Sequence, residues 1–410
     1  PKEPSPSPER ETHSRNRSPP LPDQFATMGN VAASSIQETF HLQKVKLGEG
    51  SFGVVWRAVH RKTGEVVAVK QLNKRVLPTR GIQRSDVDRE IRMMSGLSHD
   101  NILKLYQTYE DADSIYMALE YCDGGDFGDK ILERGAQIRE SEVAFWVHQM
   151  LSAVEFMHGR QICHRDIKPD NFLVSHAAQH PRLKLADLGM AVQCPPGGLL
   201  KDKCGTPAFM APEQHGLPRN SLGYNSSADV WATGVSMFML MSGGRHPFLR
   251  AGVGVDMARL MQGALGFQDG GLLGSWGVGG QRMSEEARSL CQDMVCPDPQ
   301  RRLSSQTALA RVSTLQRAGP QITVPPTAGR NCLGSPASKL PGVRKSLRAS
   351  VSASLRRRSA SAKRTLDAAV GKVMPVLAGL ERGMLPVAQR SPSPAMHSRP
   401  AARLGVRAHA

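Results

Sequence analysis

The sequence predicts an α+β fold in which a small β-rich lobe is followed by a larger, mainly helical lobe. Residues 44–72 alternate apolar and polar side chains, which is typical of a three-stranded antiparallel meander. Residues 85–97 then place apolar side chains at helical spacing after a serine. Beyond Gly125 the pattern becomes largely helical, with a long amphipathic segment at 141–159 and a buried one at 227–243.

The composition divides the chain into three parts. Residues 1–39 are rich in Pro, Ser and charge, and residues 317–410 are rich in Ser, Arg and Pro, so both are expected to be disordered. Between them, residues 40–316 are expected to form one folded domain, with its β-rich N-lobe at about 40–121 and its C-lobe at about 124–316.

The net charge of +17 belongs to the tail. Residues 311–410 carry 18 Lys and Arg against two Asp and Glu, whereas residues 41–310 carry 31 against 29. A nucleic-acid or acidic-surface contact is therefore an alternative role for the tail alone. No aromatic residue lies between Gln321 and Ala410, so such a contact would rely on salt-sensitive phosphate binding without base stacking.

Cysteine spacing and hydropathy bear on the compartment. The seven cysteines show no paired metal-ligand spacing, so reduced thiols in the cytoplasm or nucleus are expected. No apolar run reaches the ~18 residues that a transmembrane helix needs. If translation starts at Met28, Gly29 would be exposed for N-myristoylation and membrane association, although Ala33 stands where that pattern has Ser or Thr.

A glycine-rich loop lies between two predicted strands. This position argues against a dinucleotide-binding fold, in which such a loop joins a strand to a helix. Glycines in a hairpin let backbone N–H groups approach phosphate oxygens, although a hairpin that binds nothing would have the same sequence. The loop consists of Gly48, Glu49, Gly50, Ser51, Phe52 and Gly53.

The position of the glycine-rich loop suggests a phosphate-binding role for Lys70 and a supporting role for Glu90. Lys70 lies on the third predicted strand and can point back beneath the loop toward bound phosphates. Glu90 lies on the following helix and is the anion that would hold the Lys70 ammonium there. Taken alone, each residue would more often be a solvated surface charge.

Residues 164–171, with the sequence HRDIKPDN, are far more specific. Asp166 can accept the proton of a substrate hydroxyl, Lys168 can neutralise charge on a transferring phosphate, and Asn171 can hold a metal ion. Asp187, in an Asp-Leu-Gly sequence, offers a second metal ligand, and an Ala-Pro-Glu sequence follows at 211–213. In this order the motifs form the protein-kinase signature.

The chain resembles the eukaryotic Ser/Thr protein kinases over about residues 42–312. Within them it is most similar to the calcium/calmodulin-regulated and calcium-dependent kinases, through GEVVAVKQLNK, QMLSAVEFMH and GTPAFMAPE. The resemblance implies a bilobal protein-kinase fold, ATP and Mg²⁺ as cofactors, and transfer of the γ-phosphate to Ser or Thr of protein substrates. We do not carry over calcium dependence, because no EF-hand loop follows the domain in this sequence.

The resemblance also implies roles for individual residues. Asp166, Lys168, Lys70 and Glu90 would be catalytic, and Asn171 and Asp187 would bind Mg²⁺. Leu119 would be the gatekeeper, Asp229 would anchor the catalytic loop, and Arg302 would pair with Glu213. The residues expected to contact ATP are the glycine loop, Val55, Ala68, Lys70, Glu120, Cys122 and Leu173.

The sequence differs from the usual pattern of this kinase family at two places that affect activity and regulation. Leu188 replaces the family's usual Phe, an apolar exchange that we expect to be tolerated. Residues 190–205 contain no Ser, Thr or Tyr, so we expect Asp202 to pair permanently with Arg165, in place of a phosphorylated residue. The alternative is a solvated Asp202 in a flexible loop.

Substrate preference follows from two further acidic residues. Asp126 and Asp170 occupy positions where related kinases recognise an Arg upstream of the target, which favours Arg-x-x-Ser sites. The tail offers such sites at Ser359 and Ser361, so autophosphorylation is expected there. A pseudokinase-type nucleotide-binding scaffold is the alternative to an active enzyme, but every catalytic residue named above is retained.

Overall fold

A computed structural model of the chain describes residues 35–50, 53–176, 180–250, 253–267 and 283–318. The predicted α+β class, with a β-rich first lobe and a helical second lobe, is confirmed. The predictions for both polar termini, including Met28, Ser359 and Ser361, lie outside the described residues. So do Ser51 and Phe52 of the glycine loop.

The N-lobe is built on a five-stranded antiparallel sheet with the order β1-β2-β3-β5-β4. The predicted meander forms its first three strands. The strands are β1 (Phe40–Gly50), β2 (Gly53–His60), β3 (Val66–Asn73), β4 (Leu105–Glu110) and β5 (Ser114–Glu120). The short helix α1 (Ile36–Thr39) precedes the sheet and packs the buried Ile36 against it.

The strand period decides where Lys70 lies. Side chains alternate between the two faces of a strand, and Val67 and Val69 of β3 belong to the cluster that packs under Ile36. Ala68 and Leu72 belong to the larger cluster on the other face. Lys70 shares their parity, so its side chain emerges on the face toward the C-lobe.

Helix α3 (Arg84–Ser95) covers this face. It follows the short helix α2 (Val76–Thr79). Its buried side chains include Val87, Ile91 and Met94, which recur at helical spacing. Glu90 lies within this apolar stripe and is itself buried. A buried carboxylate requires a partner, and the register of α3 directs Glu90 at β3.

The C-lobe is mainly helical. The two helices predicted from periodicity are α5 and α7, and α7 is buried along almost its whole length. Helix α10 packs against α5. The helices are α4 (Phe127–Arg134), α5 (Glu140–His158), α6 (Pro212–His215), α7 (Ser227–Met241), α8 (Met257–Met261), α9 (Glu285–Met294) and α10 (Ser305–Ala318).

Short strands in the C-lobe carry the motif residues. Residues 164–171 connect β7 to β8, and Asp187 follows β9. Strands β6, β8 and β9 form one small sheet, β7 pairs with β10, and β11 pairs with β12. The strands are β6 (Gly125–Asp126), β7 (Ile162–Cys163), β8 (Phe172–Ser175), β9 (Arg182–Leu185), β10 (Val192–Gln193), β11 (Leu249–Arg250) and β12 (Gly254–Val255). Among the described helices, none is long and apolar enough to cross a membrane.

Candidate active site

A cavity of about 300 Å³ separates the N-lobe sheet from β8 and β9. This is the lower end of the volume range of small-molecule sites. The polar side chains that line it include Lys70, Glu90, Asn171 and Asp187. The predicted nucleotide contacts that line the cavity are Gly48, Val55, Ala68, Lys70, Glu120, Cys122 and Leu173, and its apolar lining also includes Leu47, Met94, Leu103, Leu119 and Ala186.

The glycine loop forms the predicted hairpin between β1 and β2. Gly50 pairs with Gly53 across it, and Gly48 lies at the cavity. A Cβ atom on Gly53 would lie only 1.8 Å from the Gln71 carbonyl oxygen, so glycine is required for β2 to approach β3. Glu49 directs its carboxylate to Lys46, at 3.0 Å, and its exposed side chain does not line the cavity.

Lys70 and Glu90 meet at the inner end of the cavity. Lys70 Nζ lies 2.6 Å from Glu90 Oε1, and both side chains are buried. Burial alone would lower the pKa of Lys70, but the nearby charges of Glu90 and Asp187 more than offset it and leave this pKa raised. Lys70 therefore remains an ammonium group inside the cleft.

The catalytic-loop residues are held from beneath by Asp229 on α7. Its carboxylate accepts the backbone N–H groups of His164 and Arg165, both at 2.8 Å. His158, in the last turn of α5, contacts the same carboxylate at 3.0 Å. Burial alone would raise the pKa of Asp229, but these contacts lower it, so the carboxylate stays ionised. The role of Asp229 was expected, whereas nothing in the sequence indicated His158.

Asp166 lies at the outer end of this loop. Lys168 Nζ lies 2.8 Å from Asp166 Oδ2, and Asn171 Nδ2 donates to the Asp166 backbone oxygen at 2.7 Å. Thr206 donates to Asp166 Oδ1 from both its N–H, at 2.7 Å, and its hydroxyl, at 2.5 Å. Thr206 also accepts from Lys168 at 2.8 Å. Sequence reasoning missed Thr206, because it lies 40 residues from Asp166.

Asn171 and Asp187 each present an oxygen that lacks a protein partner. Asn171 Oδ1 and Asp187 Oδ2 are buried and make no hydrogen bond in the described structure. Burial, together with the nearby Glu90 charge, raises the pKa of Asp187 to about 6, although Lys70 partly opposes this. Carboxylate and amide oxygens are ligands that Mg²⁺ accepts, so the two predicted metal ligands fit a hard divalent cation.

The family model of the protein kinase domain matches residues 41–312 of the chain. The chain belongs to the protein kinase family. The predicted resemblance is confirmed by its relatives as well. The chain is 35% identical over 266 residues to calcium-dependent protein kinase 10 of Arabidopsis thaliana. The aligned region covers 65% of this chain and 46% of that protein. It is 34% identical over 265 residues to calcium-dependent protein kinase 20 of Oryza sativa subsp. japonica, covering 64% of this chain and 45% of that protein.

A relative from another group is serine/threonine-protein kinase ATG1a of Arabidopsis thaliana. It is 36% identical over 203 residues, which is 50% of this chain and 31% of that protein. The chain thus spans less than half the length of each of these three curated relatives.

The Glu120 side chain lies at the end of β5, where the N-lobe joins the C-lobe, and forms an ion pair there. Glu120 Oε1 lies 2.7 Å from Lys184 Nζ of β9, which ties the end of β5 to the C-lobe. Any nucleotide contact from Glu120 is therefore left to its backbone. At Cys122 burial raises the pKa of the thiol to about 12, so it is a neutral group at the cavity.

The activation segment of the kinase domain contacts Arg165. Asp202 Oδ2 lies 3.5 Å from Arg165 Nη1, so the two side chains form an ion pair that is too long for a good hydrogen bond. Arg165 is buried and donates from Nε to the Met190 carbonyl at 2.6 Å. Tyr224 donates its hydroxyl to the Asp202 carbonyl at 2.9 Å, which holds the backbone of the same residue.

Two further expectations concern packing. Leu188 is buried, and the turn Leu188–Met190 packs against α3, so the exchange for Phe leaves no exposed gap. Arg302 forms a double contact with Glu213, at 2.6 and 3.0 Å. This pair joins the end of the activation segment to the region between α9 and α10.

Proposed function

We propose that the protein is an ATP-dependent Ser/Thr protein kinase. The observation that carries this proposal is the arrangement at one end of the cavity. Asn171 Oδ1 and Asp187 Oδ2 lack protein partners there, next to the paired Lys70 ammonium. Buried polar atoms without partners are costly unless a ligand satisfies them, so this end is suited to a cation and to phosphate oxygens.

The proposed reaction assigns a task to each group. ATP, when bound with Mg²⁺, supplies the phosphoryl group that is transferred. Lys70, held by Glu90, would bind phosphate oxygens, and Asn171 and Asp187 would hold the cation. Asp166 would orient the substrate hydroxyl and accept its proton.

Lys168 would place positive charge beside Asp166, at its observed distance of 2.8 Å. Thr206 and Asp229 would keep the Asp166 loop in one conformation through the contacts described above. Positioning and electrostatics of this kind supply most of the rate enhancement in phosphoryl transfer.

The buried Asp126 and the partly exposed Asp170 near it support a preference for Arg-x-x-Ser sites. Asp126 Oδ2 is buried without a hydrogen-bond partner, while Oδ1 accepts the Asp129 N–H and caps α4. Burial, together with the nearby Asp170, raises the pKa of Asp126 to about 7. A guanidinium group would satisfy the unpaired oxygen and relieve the repulsion between the two carboxyl groups. The tail sites Ser359 and Ser361 stay predictions.

The test is phosphoryl transfer from Mg²⁺-ATP to an Arg-x-x-Ser peptide by the full chain. Asp166→Asn should abolish transfer while nucleotide binding, measured by calorimetry, persists. Asp187→Asn should weaken the Mg²⁺ dependence of nucleotide binding. If the wild-type chain binds nucleotide but transfers no phosphate, the scaffold alternative would replace this proposal.

A further inference from the structure

The middle of the activation segment, residues 199–204, lies against Tyr224. The Leu200 N–H donates to the Tyr224 carbonyl at 2.7 Å, and the Tyr224 N–H donates to the Leu200 carbonyl at 3.0 Å. The Tyr224 hydroxyl donates to the Asp202 carbonyl at 2.9 Å and lies 3.5 Å from Cys204 Sγ. One residue therefore contacts residues 200, 202 and 204 of the segment.

The contacts of Tyr224 are buried, whereas the ion pair of the same segment is not. Tyr224 is 1% exposed, and burial raises the pKa of its hydroxyl, which therefore stays protonated and able to donate. The Asp202 side chain is 86% exposed and lies 3.5 Å from Arg165. An exposed ion pair contributes little to stability, so the buried contacts of Tyr224 hold the segment more firmly than the Asp202 carboxylate does.

Gly223 allows the segment to approach Tyr224. Its φ of +141° is one that other residues rarely adopt, and a Cβ atom there would lie 2.8 Å from both Leu199 Cβ and the Leu200 carbonyl oxygen. Ser221 fixes this turn, because its Oγ accepts the Gly223 N–H at 3.1 Å and donates to the Gly223 carbonyl at 3.0 Å. The position of the segment therefore depends on a glycine directly before Tyr224.

Tyr224 also links the activation segment to the catalytic loop through α7. It lies three residues before the start of α7 and five residues before Asp229, whose carboxylate holds the catalytic loop. Two residues beyond the last contact with Tyr224, Thr206 bonds to Asp166. Release of the segment from Tyr224 would therefore loosen Thr206 at Asp166.

We propose that Tyr224 is a positioning residue that orders the activation segment without phosphorylation and thereby keeps Thr206 against Asp166. The inference rests on the proposed kinase function and adds to it a means of activation within the chain. Many kinases order this segment by phosphorylation, but residues 190–205 contain no Ser, Thr or Tyr. The contacts with one buried residue take the place of the phosphate.

The first measurement is phosphoryl transfer by the full chain to the Arg-x-x-Ser peptide. Tyr224→Phe removes the hydroxyl contacts and keeps the ring and the backbone bonds, so we expect kcat/KM for the peptide to fall about three- to tenfold, the effect of one hydrogen bond. Gly223→Ala should lower it further, because the added Cβ displaces the segment. The described lining of the nucleotide cavity does not include Tyr224 or residues 199–204, so the KM for ATP should not change.

The second measurement is cleavage of the native full chain by trypsin, which reports on the segment without any need for catalysis. Lys201 and Lys203 are exposed in the segment, and cleavage there requires local opening. Tyr224→Phe should accelerate cleavage at these lysines severalfold, as mapped by mass spectrometry. Tyr116→Phe is the matched control, since Tyr116 is 6% exposed and donates its hydroxyl to Asp111 Oδ2 at 2.8 Å in the N-lobe. It should change neither this cleavage nor kcat/KM.

The outcomes separate the two proposals. If Tyr224→Phe leaves either kcat/KM for the peptide or cleavage at Lys201 and Lys203 at the level of Tyr116→Phe, the role of Tyr224 is overturned and the kinase function stands. If the wild-type chain transfers no phosphate to the peptide, the proposed function fails, and this inference fails with it.

Discussion

The ion pair between Arg302 and Glu213 provides the most direct test of the packing described above. The Arg302 side chain is completely buried and that of Glu213 is 9% exposed, and the two meet at 2.6 and 3.0 Å. Removing one partner of such a pair leaves a buried charge and costs about 3–5 kcal/mol. After Glu213→Ala, Arg302 still donates to the Cys296 and Ser227 carbonyls, which favours the lower end, about 3 kcal/mol.

This free energy converts into a measurable change in Tm. For a domain of this size 1 kcal/mol corresponds to about 2 °C, so Glu213→Ala should lower the Tm by about 6 °C. Arg302→Met should cost more, because it also removes the guanidinium from the face of Trp231, at 5.2 Å. Thermal unfolding of the full chain, followed by circular dichroism, measures both shifts.

The control is an exposed ion pair in the same lobe. Lys130 and Glu133 meet at 3.1 Å with side chains 43% and 56% exposed, so Glu133→Ala should shift the Tm by less than about 2 °C. A shift for Glu213→Ala no larger than that of Glu133→Ala would refute the reasoning about burial.

Three further predictions concern activity. Asp202→Ala should lower the turnover of the unphosphorylated enzyme by about two- to fivefold, because Arg165 loses its carboxylate partner; unchanged turnover would mean that the pair is not needed. The preference for Arg-x-x-Ser peptides should increase as pH rises from about 6 to 8, because Asp126 is neutral below its raised pKa of about 7 and anionic above it. Asp126→Asn should flatten that profile, and a profile that persists would exclude Asp126. Glu90→Gln should raise the KM for ATP by about tenfold, since Lys70 loses its anion at 2.6 Å; an unchanged KM would show that Lys70 is held by other groups.

Much of the fold could be predicted because its signals are local. The alternation in residues 44–72 places Lys70 on the same face as Ala68 and Leu72, and the spacing in α3 places Glu90 on its buried side. The two periodicities together predict that Lys70 and Glu90 meet. The paired strands β11 and β12 were not predicted, because their glycine-rich surroundings show neither period.

The contacts that sequence reasoning missed all join distant parts of the chain. Thr206 bonds to Asp166 across 40 residues, and His158 bonds to Asp229 across 71. The residues next to Thr206 or His158 in the sequence form no pattern that predicts such a distant partner. The first contact depends on how the activation segment packs against the loop between β7 and β8, and the second on how α5 packs against α7.

The sequence by itself determined the family, the two lobes and the residue types needed for phosphoryl transfer. These follow from short motifs and from strand and helix periods, which act within a few residues of each other. Only the tertiary structure decided which oxygens of Asn171 and Asp187 lack partners and that Glu120 is bound to Lys184. Burial and the direction of a side chain depend on neighbours far away in the chain, so they are properties of the packed domain.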